Sequence, residues 1–131
     1  MRISPDEEAP PALDHVQVAA PEGCEEPARR FYGELLGLAE LEKPAGLAGR
    51  GGVWFALAGG AQLHVGVADD FARARKGHPG LRVDSIARLE MLGRQLAAVG
   101  APVVWDSELP GVRRFFTADP FGNRLELLAL G

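Results

Sequence analysis

The sequence has 131 residues, 47% of them hydrophobic and 24% charged, with a formal net charge of −4. That is enough apolar chain for one compact core, while the scattered Lys and Arg exclude a nucleic-acid backbone as partner, which needs clustered basic charge. No apolar run nears the roughly 20 residues that span a bilayer, and residues 1–8 lack the apolar centre of a signal peptide, so no membrane contact is expected and the cytoplasm is the default location. The single cysteine, Cys24, excludes an intramolecular disulfide framework and reads as an ordinary helix-start residue.

Residues 1–11 combine prolines with a run of acids and read as a flexible lead-in. A single domain follows over 12–131, in two units of about 13–67 and 77–130. Leu13-Asp14-His15-Val16-Gln17-Val18 alternates as a half-buried strand, with His15 and Gln17 on one face and Val16 and Val18 on the other. Acids Glu25 and Glu26, Pro27 just inside the start, and apolar Phe31, Tyr32, Leu35 and Leu36 predict an amphipathic helix closed by Gly37. A short strand near 38–41 precedes a glycine-rich stretch, 45–52, that reads equally as a lid or a plain connection. Then 53–57 and 62–67 pair as a hairpin about Gly59-Gly60.

The second half repeats the plan. A strand over 78–83 leads to a helix capped by Asp84 or Ser85, with an apolar stripe from Ile86 to Val99 that stops at Gly100. Strands follow over 101–105, 112–117 and 124–128, the last two joined by Asp119-Pro120-Phe121-Gly122-Asn123. His15 and His78 are 63 residues apart, as are Gly37 and Gly100, and His64 and Glu126 are separated by 62. The chain is a duplicated βαβββ unit.

All three histidines fall at repeat-equivalent strand positions, and the fourth such position holds Glu126. A lone strand histidine is more often a hydrogen-bonded structural residue, but the coincidence across the repeat points to a metal site of His15, His64, His78 and Glu126, or to a two-histidine, one-carboxylate set that is complete without His64. That donor set suits a borderline divalent ion: zinc, nickel, iron(II), manganese or cobalt. Residues two apart share a strand face, so Gln17, Gln62, Gly80, Arg82, Arg124 and Leu128 accompany the ligands. Of these, Gln17, Gln62, Arg82 and Arg124 are the candidate substrate-binding residues. Arg113 and Arg114 face opposite ways, so at most one enters the site, and Trp54, Phe116 and Trp105 either wall the site or, the favoured reading, pack in the core.

Leu13-Asp14-His15-Val16, the helix end Arg30-Phe31-Tyr32-Gly33-Glu34-Leu35-Leu36-Gly37-Leu38, His78-Pro79-Gly80-Leu81-Arg82-Val83 and Asp119-Pro120-Phe121-Gly122-Asn123-Arg124-Leu125-Glu126-Leu127 together resemble the vicinal oxygen chelate superfamily. That group holds glyoxalase I, fosfomycin and bleomycin resistance proteins and extradiol dioxygenases. The resemblance implies an α+β fold in which two tandem βαβββ units form a curved, barrel-like mixed sheet, with helices outside and a metal cleft inside. It implies His15, His64, His78 and Glu126 as ligands, with Glu126 also catalytic, and a metal that chelates vicinal oxygens of a small-molecule substrate or intermediate. Glyoxalase I usually has glutamate where this chain has His64, and the arginine that grips the glutathione carboxylate would fall near Ala19. The implied function is a glyoxalase-like lyase or isomerase, with an extradiol-type dioxygenase or a metal-free drug- or metabolite-binding module as alternatives. A homodimer is implied as well.

Overall fold

The computed structural model describes residues 9–131, so most of the expected lead-in lies outside the described residues. The first unit runs β1 (His15–Ala20), α1 (Glu25–Ala28, continuing as a π-helix over Arg29–Leu35), β2 (Glu40–Leu41), β3 (Val53–Ala56) and β4 (Gln62–Val67). The second runs β5 (Gly80–Arg82), α2 (Ile86–Ala98), β6 (Val104–Asp106), β7 (Val112–Ala118) and β8 (Arg124–Leu130). Each unit makes its own four-stranded sheet, in the orders β1-β4-β3-β2 and β5-β8-β7-β6. In both, a parallel pair sits at one side and antiparallel pairs complete the sheet.

This corrects the expected architecture. The eight strands do not curve into one barrel-like sheet around a cleft; they form two open sheets. Side-chain alternation puts one face of each sheet toward the helices. There Phe31, Tyr32 and Leu36 of the first helical segment and Leu89, Leu92 and Leu96 of α2 join Phe55, Leu63, Phe115 and Leu127 in one buried cluster. The opposite faces, which carry the polar candidates, remain outside that cluster.

Local chemistry sets the helix ends. Ser85 caps α2 by accepting the Arg88 N–H at 3.1 Å, which leaves Asp84 outside the cap. The first helix widens: the Leu36 N–H bonds the Phe31 carbonyl, five residues back, at 3.0 Å. Gly37 then turns the chain at φ 77°, a left-handed conformation that glycine adopts freely, and the Leu38 N–H returns to the Tyr32 carbonyl.

The units are joined by a buried polar clamp. The Asp119 carboxylate accepts the Tyr32 hydroxyl at 2.7 Å, the Phe121 and Asn123 N–H groups at 2.9 and 2.8 Å, and the Asn123 Nδ2 at 3.0 Å. Asn123 Nδ2 also donates to the Ala19 carbonyl at the end of β1, at 2.7 Å. Burial, then the Asp119 charge, hold the Tyr32 phenol well above its ordinary pKa.

Cys24 is buried at the start of the first helix, and its thiol approaches Glu25 at 3.4 Å. Burial chiefly pushes its pKa to about 11, above the ordinary 9.0. At pH 8 the thiolate fraction is then about 100-fold below that of a free thiol. Alkylation by iodoacetamide should therefore be at least that slow in the folded protein and become fast in urea, with mass spectrometry as the readout; fast labelling without denaturant would contradict the burial.

Candidate functional site

On the open face of the first sheet, register sets His15 beside Gln62 and Gln17 beside His64, with Trp54 next across on β3. The aromatic rings form a three-layer stack. Trp54 and His64 lie 3.9 Å apart and parallel within 1°, and His15 covers the other side of His64 at 4.5 Å. His64 Nε2 meets Gln62 Oε1 at 2.9 Å, so in the tautomer where that nitrogen donates, Nδ1 keeps a free lone pair. Burial, followed by the neighbouring His15, lowers the His64 pKa and favours this neutral ring. His15 is more open, and its Nδ1 pairs with the Asp14 carboxylate at 2.8 Å. Gln17 is folded over Gly66: a Cβ there would fall 2.6 Å from its amide nitrogen.

On the open face of the second sheet, His78 Nε2 meets Glu126 Oε1 at 3.1 Å and His78 Nδ1 meets the Lys76 carbonyl at 2.9 Å. Both partners are acceptors, so both contacts are hydrogen bonds only if the imidazole is doubly protonated or the glutamic acid keeps its proton. Arg114 Nη1 reaches the same Oε1 at 3.4 Å, and its Nη2 reaches Asp106 at 3.4 Å. Phe116 stands edge-on to His78 and carries the Arg124 guanidinium over its ring at 4.1 Å.

These positions sort the expected residues. Gln17, Gln62, His15 and His64 share the first face, while His78, Arg124 and Glu126 share the second. Arg82 follows on β5, exposed and without an ion pair among the described residues. Arg114, rather than Arg113, is the arginine that joins the site; Arg113 turns to Glu90 and Trp105. The signal for it lay in the pairing of β7 with β8, which sets Phe116 opposite Glu126 and Arg114 two residues along the same face. Trp54 and Phe116 lie on the open faces beside the site residues, as the wall alternative has it rather than the favoured core packing, and Trp105 packs against Phe115 while staying 43% exposed. The end of the 45–52 stretch is tied down: Lys43 Nζ donates to the Gly51 and Gly52 carbonyls, and the Gly52 N–H bonds Glu25 at 2.7 Å.

As a metal site, the donors do not fit within one chain. Among the described residues no three His, Cys, Asp or Glu side chains converge closely enough to hold an ion. The expected central cleft is replaced by two pairs, His15 with His64 and His78 with Glu126, one on each sheet.

Two tandem βαβββ sheets with polar open faces define the vicinal oxygen chelate fold, and similar solved structures agree. A glyoxalase family protein from Bacillus anthracis is 42% identical with a TM-score of 0.86, over 95% of this chain and 99% of that one. The fold alone is shared with a glyoxalase/dioxygenase from Nostoc punctiforme, at 19% identity and a TM-score of 0.75 over 98% of this chain and 99% of that one. It is shared too with a glyoxylase/bleomycin resistance protein/dioxygenase domain from Frankia sp. EAN1pec, at 23% identity and a TM-score of 0.72 over 94% of this chain and 100% of that one. No protein-family model and no curated protein matches the sequence. The chain belongs to the glyoxalase family of the vicinal oxygen chelate superfamily. No helix of the described residues is long and apolar enough to cross a membrane.

Proposed function

We propose that this protein is a glyoxalase-like, metal-dependent enzyme of lyase or isomerase type, acting on a small molecule, with its metal site assembled between two copies of the chain. The observation that carries this reading is the division of the donors into two repeat-equivalent pairs on open sheet faces. Two donors fall short of the three protein ligands a catalytic zinc-type site uses. A homodimer that sets the first unit of one copy against the second unit of the other brings His15, His64, His78 and Glu126 together.

A divalent ion of the zinc, nickel, iron(II), manganese or cobalt class, bound there, would polarise vicinal oxygens of the substrate and stabilise negative charge on them. The side chains have their own tasks in this reading. Arg114 holds Glu126 Oε1, leaving Oε2, which accepts no hydrogen bond from a described residue, to take and return a proton, while His78 gives up its Nε2 contact with Glu126 to bind the ion. Gln17, Gln62, Arg82 and Arg124 orient the substrate, while Trp54 and Phe116 wall off water.

A second reading, a metal-free module that binds a drug or metabolite, is favoured by the same separation, because a single chain then accounts for its own hydrogen bonds without an ion. An extradiol-type dioxygenase shares the first reading's ligands and differs in requiring iron. Elemental analysis of untagged protein purified without chelators separates these. About one transition-metal ion per chain is expected, with iron directing attention to oxygen chemistry. His15→Ala and Glu126→Ala should each lose metal while keeping the wild-type circular dichroism spectrum. Mixing the two variants should restore about a quarter of the sites, since about half the dimers are mixed and one of two shared sites in each is intact. If the protein holds no metal and takes up none on addition, the metal-free module stands instead.

A further inference from the structure

The two units carry different charge on equivalent faces. The second presents Arg82, Arg114 and Arg124, while the matching positions of the first are Ala19, Gly52 and Gln62. Arg114 is committed to Glu126 and Asp106, and Arg82 is exposed. Arg124 differs from both. It is half-buried, with its guanidinium carbon 4.1 Å from the centre of the Phe116 ring, and forms an ion pair with no acid among the described residues.

Beside it is a hollow of about 410 Å³ between the units, within the size range of small-molecule sites. Val16, Val18, Ala72 and Ala74 give it apolar walls, and Arg124 and Gln17 bring polar groups from opposite units. The missing side chain of Gly66 makes room for the Gln17 amide, which donates to no described residue. A guanidinium held by a ring on one face keeps its N–H edges in plane, matched to two oxygens of one anionic group, and the amide supplies a further donor.

We infer that this inter-unit hollow binds a small molecule with an apolar body and one oxyanion group, a carboxylate or a phosphonate, through Arg124 and Gln17. The inference rests on the small-molecule reading above and names its ligand class, but it does not depend on a metal.

The test uses full-length, chelator-treated protein titrated with benzoate, phenylphosphonate and uncharged benzamide, followed by amide NMR shifts. Saturable shifts at residues 16–19, 72–78 and 123–124 are expected for one of the anions, with benzamide at least about tenfold weaker. The tighter anion tells carboxylate from phosphonate. Arg124→Gln should weaken the anion about tenfold or more and leave benzamide unchanged, while Gln17→Leu should weaken it less, each in protein whose remaining spectrum is wild-type. Equal binding of benzamide, an unchanged affinity in Arg124→Gln, or shifts confined to other surfaces would overturn the inference. Metal content, measured separately on untreated protein, decides the fate of the metal reading without touching this one.

Discussion

Asp119→Ala is expected to destabilise the fold by about 3–5 kcal/mol, a large share of the roughly 5–15 kcal/mol that holds a domain of this size. The carboxylate is 5% exposed and accepts four hydrogen bonds. Alanine leaves the Tyr32 hydroxyl, two backbone N–H groups and the Asn123 amide without that acceptor, and buried donors left unpaired carry the full cost of desolvation. The loss also loosens the hold of Asn123 on Ala19, and with it the seating of one unit on the other. Urea unfolding with an unchanged m-value would read the loss directly; a shift below about 1 kcal/mol would show that the clamp is not a structural centre.

Tyr32→Phe gives the clamp a pH signature. The folded state raises the phenol above its ordinary 10.0, so its contribution is complete below pH 10 and is lost as pH rises toward the folded value. The variant should be modestly less stable at pH 8, by about 1–2 kcal/mol, and should lose stability less steeply above pH 10.

Gly52→Ala is the second large effect, at about 2–4 kcal/mol. Gly52 sits at φ +84°, and an added Cβ would fall 2.3 Å from the Val65 carbonyl oxygen, a backbone atom that cannot swing aside. Two costs therefore add: a left-handed conformation that disfavours a side chain, and displacement of β3 from β4. The Gly52 N–H bond to Glu25 is strained in the same movement, which loosens the join between the 45–52 stretch and the first helix. Gly49→Ala is the matched control, because its Cβ meets nothing within 4 Å. A similar midpoint for both variants in thermal or urea unfolding would refute the steric account.

The elements were legible because their signals are local. Alternation about His15 and His64, the apolar stripe from Ile86, the Ser85 cap and the 62- to 63-residue repeat all lie within short windows, and the strands and α2 fall within a few residues of expectation. The relation between units was not legible. It depends on contacts such as Tyr32 with Asp119, 87 residues apart, and Asn123 with Ala19, 104 apart, which leave no periodic trace. Hence the repeat predicted equivalent positions correctly, while closure of the sheets into a barrel-like whole did not follow. The π-helical widening after Ala28 is equally silent, since its apolar spacing reads as an ordinary helix. Charge direction on β7 required pairing information: once Phe116 is known to face Glu126, Arg114 follows.

The division of every strand into a helix-facing and an open side has a consequence for how such a chain can change over generations. Leu63, Val65, Leu125 and Leu127 secure the helices, while the residues between them, His64 and Glu126, turn to the opposite face of each sheet, where neighbouring side chains cover them. Exchanges at these outward positions leave the helix-facing core in place and change only the contacts made on the opposite face. The two halves already differ there, imidazole against carboxylate and amide against guanidinium, on one shared backbone plan. A duplicated scaffold of this kind can acquire new chemistry by trading single outward residues, keeping its ancestral interior intact while its halves drift into different trades.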